Sequence, residues 1–280
     1  MKFNLKIAEI NQEDLGIGGV ILQALQSLKN RKKREIIFIE CKNISYTNNA
    51  NVWDKFLLQP FTEYEDLIKN KIKNKDYIKE KIRINKNFLF NWVGKDINLF
   101  KKSNLIKPYK KIFKKYIKFN SEFTSKFLEI ENRILNQKTL SVHLRGTDRF
   151  NKNYHFANQR KNFKLLKVRS KIENKLSELD IEKIFLATDD LEYKNFMIKS
   201  FKKKSLIFNN TRFAKVDGLH KNYWESDDIK TKIAEEALLD TMLMSRCNYS
   251  LLSSSNISLV SILMRKDNKY SFIDDDMKSR

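Results

Sequence analysis

From residue 139 onward the sequence alternates short apolar runs with amphipathic ones, and few chain architectures satisfy that rhythm. Segments 139–145, 184–188, 205–208 and 249–252 read as strands, while 162–178, 191–202, 230–247 and 257–264 carry helical spacing. Strands separated by helices are joined by right-handed crossovers and lie parallel in one sheet. The C-terminal half, 139–280, is therefore expected to be a Rossmann-like α/β lobe. Ligands of such sheets sit beyond the carboxyl ends of the strands, so the polar groups that follow those ends are the candidates for function.

Proline and glycine, two and six in 280 residues, punctuate the rest. Gly16, Gly18 and Gly19 fall within four positions, ahead of a helical run at 20–28 and a strand-like run at 35–40. The chain thus opens as loop, helix, strand, with no clear strand leading into the glycines. From 51 to 138 the spacing is mostly helical, broken at Pro60 and Pro108, with one long amphipathic stretch at 109–132. At this length the chain has material for two Rossmann-sized lobes, and the expected boundary falls between 1–138, a helix-rich α/β lobe, and 139–280.

The 56 Lys and Arg against 34 Asp and Glu leave a net charge of +22. The lysines are scattered among Asn and Ile at 29–34, 69–86 and 107–118, the pattern of solvated helix faces. Aromatic residues do not interleave with them on one face as strand-binding platforms do, so a nucleic-acid partner is not expected. A basic surface still concentrates a nucleotide-sugar, an acidic glycan or an anionic membrane surface. Cys41 and Cys247 lie far apart with no CxxC or Cys/His pairing, which fits buried thiols in a reducing cytosol. No apolar run reaches the length of a membrane span or a signal peptide. A cytoplasmic protein is expected, with peripheral contact at the inner face of a membrane left open.

Four compact polar groups follow the expected strands: His143-Leu-Arg-Gly-Thr-Asp-Arg149, Thr188-Asp-Asp190, Gly218-Leu-His220 and Ser253-Ser-Ser-Asn256. Singly each has an ordinary explanation as surface ion pair, helix cap or loop. Together they describe a cradle for a diphosphate without a metal. Arg145 and Arg149 bring forked donors, and the serine hydroxyls and a helix N-terminus near Ser255 bring neutral donors and a partial positive charge. At Gly18 and Gly19 the backbone offers close approach to a phosphate or sugar. Asp240 is the only charge in 237–244, a run apolar on nearly every helix face. A neighbouring cation or amide satisfies such a carboxylate, or a ligand does.

These motifs resemble the α1,6-fucosyltransferases of N-glycan cores and the related bacterial nodulation fucosyltransferases. The central motif of that family runs roughly His-x-Arg-Arg-Thr-Asp-Lys, against His143-Leu-Arg-Gly-Thr-Asp-Arg149. Its flanking landmarks occur in the same order, with Leu15-Gly-Ile-Gly-Gly19, Tyr46, Phe185-Leu-Ala-Thr-Asp-Asp190, Gly218-Leu-His220 and the segment 239–247 before a serine-rich loop. The resemblance implies an inverting GT-B-like enzyme of two Rossmann-like lobes that uses GDP-fucose or a related GDP-sugar as co-substrate, without a divalent metal or other cofactor. The lobe 1–138 would face the acceptor, an oligosaccharide, polysaccharide or lipid-linked glycan.

By the same resemblance His143 and Asp240 would lie at the guanine and Tyr46 near the nucleoside, while Arg145, Ser255 and Asn256 would meet the β-phosphate. Gly18, Gly19, Asp189, His220 and Ser254 would complete the donor site, with Arg145, Asp148, Arg149 and Asp190 as the catalytic set. Two departures stand out: the second arginine of the family is Gly146, and its acid a few residues on aligns with Asn153. Asp148, Asp190, His155 and Glu225 are the candidate bases. A catalytically inactive GT-B-like module that binds glycan or nucleotide, and a basic nucleic-acid-binding protein, are the alternatives.

Overall fold

Two separate parallel sheets organise the chain. The computed structural model describes residues 3–10, 15–42, 50–82, 106–135, 137–145, 165–202, 205–207, 213 and 226–273. The first sheet has the order β2-β1-β3, from β1 (Asn4–Glu9), β2 (Glu35–Glu40) and β3 (Ile78–Lys81). Helix α1 (Ile17–Lys29) makes the β1–β2 crossover, and α2 (Val52–Phe56), a short 3₁₀ turn (Thr62–Tyr64) and α3 (Glu65–Lys73) lead to β3. The loop-helix-strand opening expected from the sequence is corrected here, because a strand does precede the glycines. β1 buries Leu5, Ile7 and Ala8, but Lys6 and Glu9 dilute its apolar signal. Strand β3, Ile-Lys-Glu-Lys, lies exposed on the sheet edge and carries no apolar pattern at all.

The amphipathic stretch at 109–132 is two helices, α4 (Ile106–Tyr116) and α5 (Ser121–Ile134). Between them Phe119 forms a bridge to Leu57. The Asn120 side chain then starts α5 by accepting from Phe123 N at 2.9 Å, a local bond that caps its first turn.

The second sheet has the order β6-β5-β4-β7-β8, all parallel. It is built from β4 (Thr139–Leu144), β5 (Lys183–Thr188), β6 (Ser205–Ile207), β7 (Tyr249–Leu252) and β8 (Tyr270–Phe272), with α6 (Leu165–Glu178), α7 (Leu191–Ser200), α8 (Asp227–Arg246) and α9 (Asn256–Met264) between them. The α/β reading is thus observed, and the chain steps outward from β4 to β6 before returning to lay β7 on the other side of β4. That reversal places a crevice at the carboxyl ends of β4 and β7.

Strand β4 is buried throughout, with an apolar face in one core and a polar face of Thr139, Ser141 and His143. Leu140, Val142 and Leu144 pack with Val168 and Ile172 of α6 and with Tyr193 and Met197 of α7. A second core runs from the first sheet through α1, α4 and α5 into α8 and α9, so one continuous apolar layer joins the two sheets. Both cysteines are buried and unpaired by disulfide, and burial pushes each thiol up to about 12. Trp53 is wholly buried, its indole donating to Leu58 O at 3.0 Å.

At the amino end of the second sheet Arg265 is only 3% exposed. It donates to Met244 O, Ser250 Oγ, Cys247 O and Asp267 Oδ1, at 2.8–3.0 Å. A buried guanidinium is tolerated because its donors are spent on carbonyls that close α8 and on β7.

Candidate functional site

The crevice between β4 and β7 is assembled by register. Parallel pairing sets Leu144 beside Thr188 and His143 beside Leu252, so the next residues along the chain, Arg145, Asp189 and Ser253, come together just past the strand ends. Arg145 Nη1 donates to Asp189 Oδ2 at 2.9 Å, with the two side chains 17% and 12% exposed. The Arg145 backbone N donates to Ser253 Oγ at 3.2 Å, and Ser253 Oγ donates in turn to His143 O at 2.9 Å. Arg145 is therefore tied to strands on both sides of β4.

Asp190 points the other way, as successive residues of an extended segment do. Its Oδ1 accepts from Glu192 N at 2.8 Å and Tyr193 N at 3.2 Å and so caps α7. Burial raises its pKa above the usual carboxylate value, against the lowering effect of those two amides. The oxygen given to α7 makes Asp190 a helix cap first, the ordinary use of an Asp-Asp pair.

His143 is 2% exposed and belongs to a serine relay. Its Nδ1 lies 2.8 Å from Ser258 Oγ, which is 2.6 Å from Ser253 O and 3.1 Å from Ser255 Oγ. A hydroxyl has one proton and two acceptor sites. Only as a donor does Ser258 bond a carbonyl, so its other contacts are accepted and His143 Nδ1 carries the proton. Ser258 gave no sign in the sequence, where it reads as one more serine in an apolar helix.

Ser255 caps α9, its Oγ accepting from Ser258 N at 3.2 Å. Ser254 is buried beside it. The first turn of α9 abuts the first turn of α1. A methyl group placed on Gly18 would lie 2.9 Å from Ile257 N and 3.0 Å from the Asn256 carbonyl carbon, and one on Gly19 would meet the Leu15 side chain and sit 3.2 Å from Asn256 Nδ2. The close approach that these glycines permit is that of α9 itself. Two helix N-termini thus converge at the crevice, and neither carries an acidic residue in its first turn. Like-signed dipole ends brought together form a setting for an anion.

Asp240 lies in the middle of α8 and is 6% exposed, among buried Leu238, Leu239, Leu243 and Met244. Glu236, one turn earlier on the same face and also buried, was not singled out by the sequence. Tyr46, Asp148, Arg149, His155, His220 and Glu225, together with Gly146 and Asn153, lie outside the described residues. Among the described residues no three His, Cys, Asp or Glu side chains gather as metal ligands would, and no helix is long and apolar enough to cross a membrane.

A five-stranded parallel sheet with a topological switch point defines a doubly wound type of α/β fold, and comparison with solved structures makes the likeness specific. The chain is similar to the NodZ alpha-1,6-fucosyltransferase soaked with GDP-fucose, with TM-score 0.56 and 13% identity over 94% of this chain and 93% of that one. The fucosyltransferase NodZ from Bradyrhizobium aligns with TM-score 0.56 and 16% identity over 95% and 94% of the two chains. POFUT1 in complex with GDP aligns with TM-score 0.51 and 12% identity over 96% and 98%. The fold is that of these GT-B-like fucosyltransferases, shared along nearly the whole chain. No protein-family model matches the sequence, and neither does any curated protein.

Proposed function

We propose that this protein is a glycosyltransferase that moves fucose from GDP-fucose to a glycan acceptor with inversion and without a metal ion. The observation that carries the reading is the convergence of the α1 and α9 N-termini beside Arg145, at the switch point of a fold shared with proteins solved with GDP and GDP-fucose. The diphosphate lies across the two N-termini, with Ser254, Ser255 and Asn256 as neutral donors and Arg145 against the β-phosphate. Asp240 accepts from the guanine N–H groups beside His143. An acceptor hydroxyl attacks the anomeric carbon from the face opposite GDP and gives up its proton to a base, for which Asp148, Asp190, His155 and Glu225 are the candidates. As the bond to the β-phosphate oxygen breaks, the negative charge that develops there falls on the guanidinium and helix ends. The lobe 1–138 presents the acceptor, an oligosaccharide, polysaccharide or lipid-linked glycan. Its α4 carries exposed Lys107, Lys111, Lys114 and Lys115, suited to peripheral contact with an anionic membrane.

A thermal-shift panel tests the nucleotide part, because a ligand that binds only the folded state raises its stability. GDP should stabilise more than ADP or UDP. Release of fucose from GDP-fucose then separates an enzyme from a binding module. Stabilisation by GDP without any donor turnover would assign the chain to the second class.

A further inference from the structure

We propose that Asp189 is a positioning residue for Arg145 rather than a ligand of the donor, an inference that rests on the function proposed above. The two side chains meet because register puts their strand ends side by side, Leu144 against Thr188. Their bond, Nη1 to Oδ2 at 2.9 Å, is made between largely buried groups, so it is held more firmly than a surface ion pair. The backbone of Arg145 is fixed separately through Ser253. With the main chain anchored on the β7 side and the guanidinium on the β5 side, rotation of the arginine side chain is restrained before any ligand arrives.

A carboxylate in this position is a poor neighbour for a diphosphate, since it adds negative charge beside a site that must hold more. Its contribution is orientation. Arginine has several rotatable bonds, and a guanidinium bound at Nη1 keeps its plane fixed, so the fork meets the leaving oxygen in one geometry instead of searching for it. Asp190 cannot substitute, because its Oδ1 is engaged by the first turn of α7.

The experiment is a double-mutant cycle on donor hydrolysis or transfer, using Asp189→Ala, Asp189→Asn, Arg145→Ala and the double variant Asp189→Ala with Arg145→Ala. Asp189→Ala should lower kcat by about tenfold to a hundredfold, the scale of a misaligned catalytic group, with a much smaller change in KM for GDP-fucose. Asp189→Asn should lose several-fold less, because its amide oxygen accepts the same Nη1–H without the charge. In the Arg145→Ala background Asp189→Ala should change kcat by less than about twofold, since a positioning residue has nothing left to position. Thermal unfolding of each variant separates this from collapse of the fold, which would lower kcat in both backgrounds. Losses that multiply independently would overturn the proposal, as would an Asp189→Asn variant as impaired as Asp189→Ala. If the wild-type protein neither binds GDP nor turns over GDP-fucose, the proposed function itself fails, a result distinct from either of these.

Discussion

Replacing Gly18 with alanine puts a methyl group into the junction of the two helix N-termini. The added carbon would lie 2.9 Å from Ile257 N, 2.9 Å from Ile257 Cγ2 and 3.0 Å from the Asn256 carbonyl carbon, where carbon contacts normally begin near 3.5 Å. Two of those three neighbours are backbone, so the overlap is relieved only by moving α9 relative to α1. Overpacking of this kind costs about 1–3 kcal/mol, offset by at most about 1 kcal/mol from replacing a helical glycine. With that offset taken in full, the net loss is up to about 2 kcal/mol, a fall in Tm of up to about 8 °C for a chain of this size. Because the displaced turn is the one read as the phosphate cradle, GDP affinity should fall by about tenfold, equivalent to about 1.4 kcal/mol. Gly19→Ala separates the two effects: its methyl would overlap Leu15 Cδ1 and lie 2.8 Å from Leu15 Cγ, on a buried side chain, and 3.2 Å from Asn256 Nδ2, so it should also lower Tm but, meeting no α9 backbone atom, should reduce GDP affinity less than Gly18→Ala. Differential scanning fluorimetry and calorimetric titration of GDP measure both effects. A Gly18→Ala variant with wild-type Tm and GDP affinity, or a Gly19→Ala variant with the greater loss of GDP affinity, would refute the reasoning.

Arg145→Ala should lower turnover by about a hundredfold, the scale of one lost donor to a developing negative charge, and Arg145→Lys should not restore it for want of the planar fork; steady-state kinetics decides. Asp240→Asn should fold but lose on the order of a few kcal/mol of GDP binding and with it most of the preference over ADP, whereas unchanged calorimetric selectivity would make Asp240 a structural carboxylate. Transfer or donor hydrolysis should continue in excess chelator, and activity abolished by chelator and restored by magnesium or manganese would exclude the metal-free mechanism. For Asp190, burial raises the folded pKa, so the stability linked to its proton is present below the unfolded pKa and lost as pH rises through the folded one. Asp190→Asn, which keeps the cap acceptor, should therefore be at least as stable as wild type at neutral pH and lose that advantage in acid, while Asp190→Ala should cost about 1 kcal/mol through the lost cap; urea unfolding across pH is the check.

The second sheet was legible because its buried strands carry apolar runs, continuous at 184–187 and 251–252 and alternating at Leu140, Val142 and Leu144, and because their crossover helices carry a 3.6-residue period. The first sheet was only half legible. β1 mixes Lys6 and Glu9 into its run, so its pairing with two neighbours depends on tertiary contacts that no local window contains. At the site, the serine loop, Arg145 and the Asp-Asp pair were visible as polar groups after strands, but their individual roles were not. Whether a given aspartate caps a helix or holds an arginine depends on which way the chain turns after β5. The two carboxylates of Asp189 and Asp190 are identical in sequence terms and opposite in direction. Gly18 and Gly19 announced a close approach without saying to what, and Ser258 announced nothing, because its partner lies 115 residues away.

That long reach has a consequence for how the protein is made. The bonds that hold the crevice together, Ser253 to His143 and His143 to Ser258, close loops of 110 and 115 residues, and the packing of α1 against α9 joins segments almost the whole chain apart. Contacts of such sequence separation form late and slowly, since loop-closure entropy must be met before they return any stabilisation. During synthesis β4 emerges with both edges unsatisfied, gains one neighbour when β5 follows and must wait for β7 to cover the other, while α1 carries its apolar face and its two glycines until α9 arrives to cover them. A nascent chain stalled at residue 240 would already contain Arg145, Asp189 and most of α8, and would still lack the turn that brings them into a site.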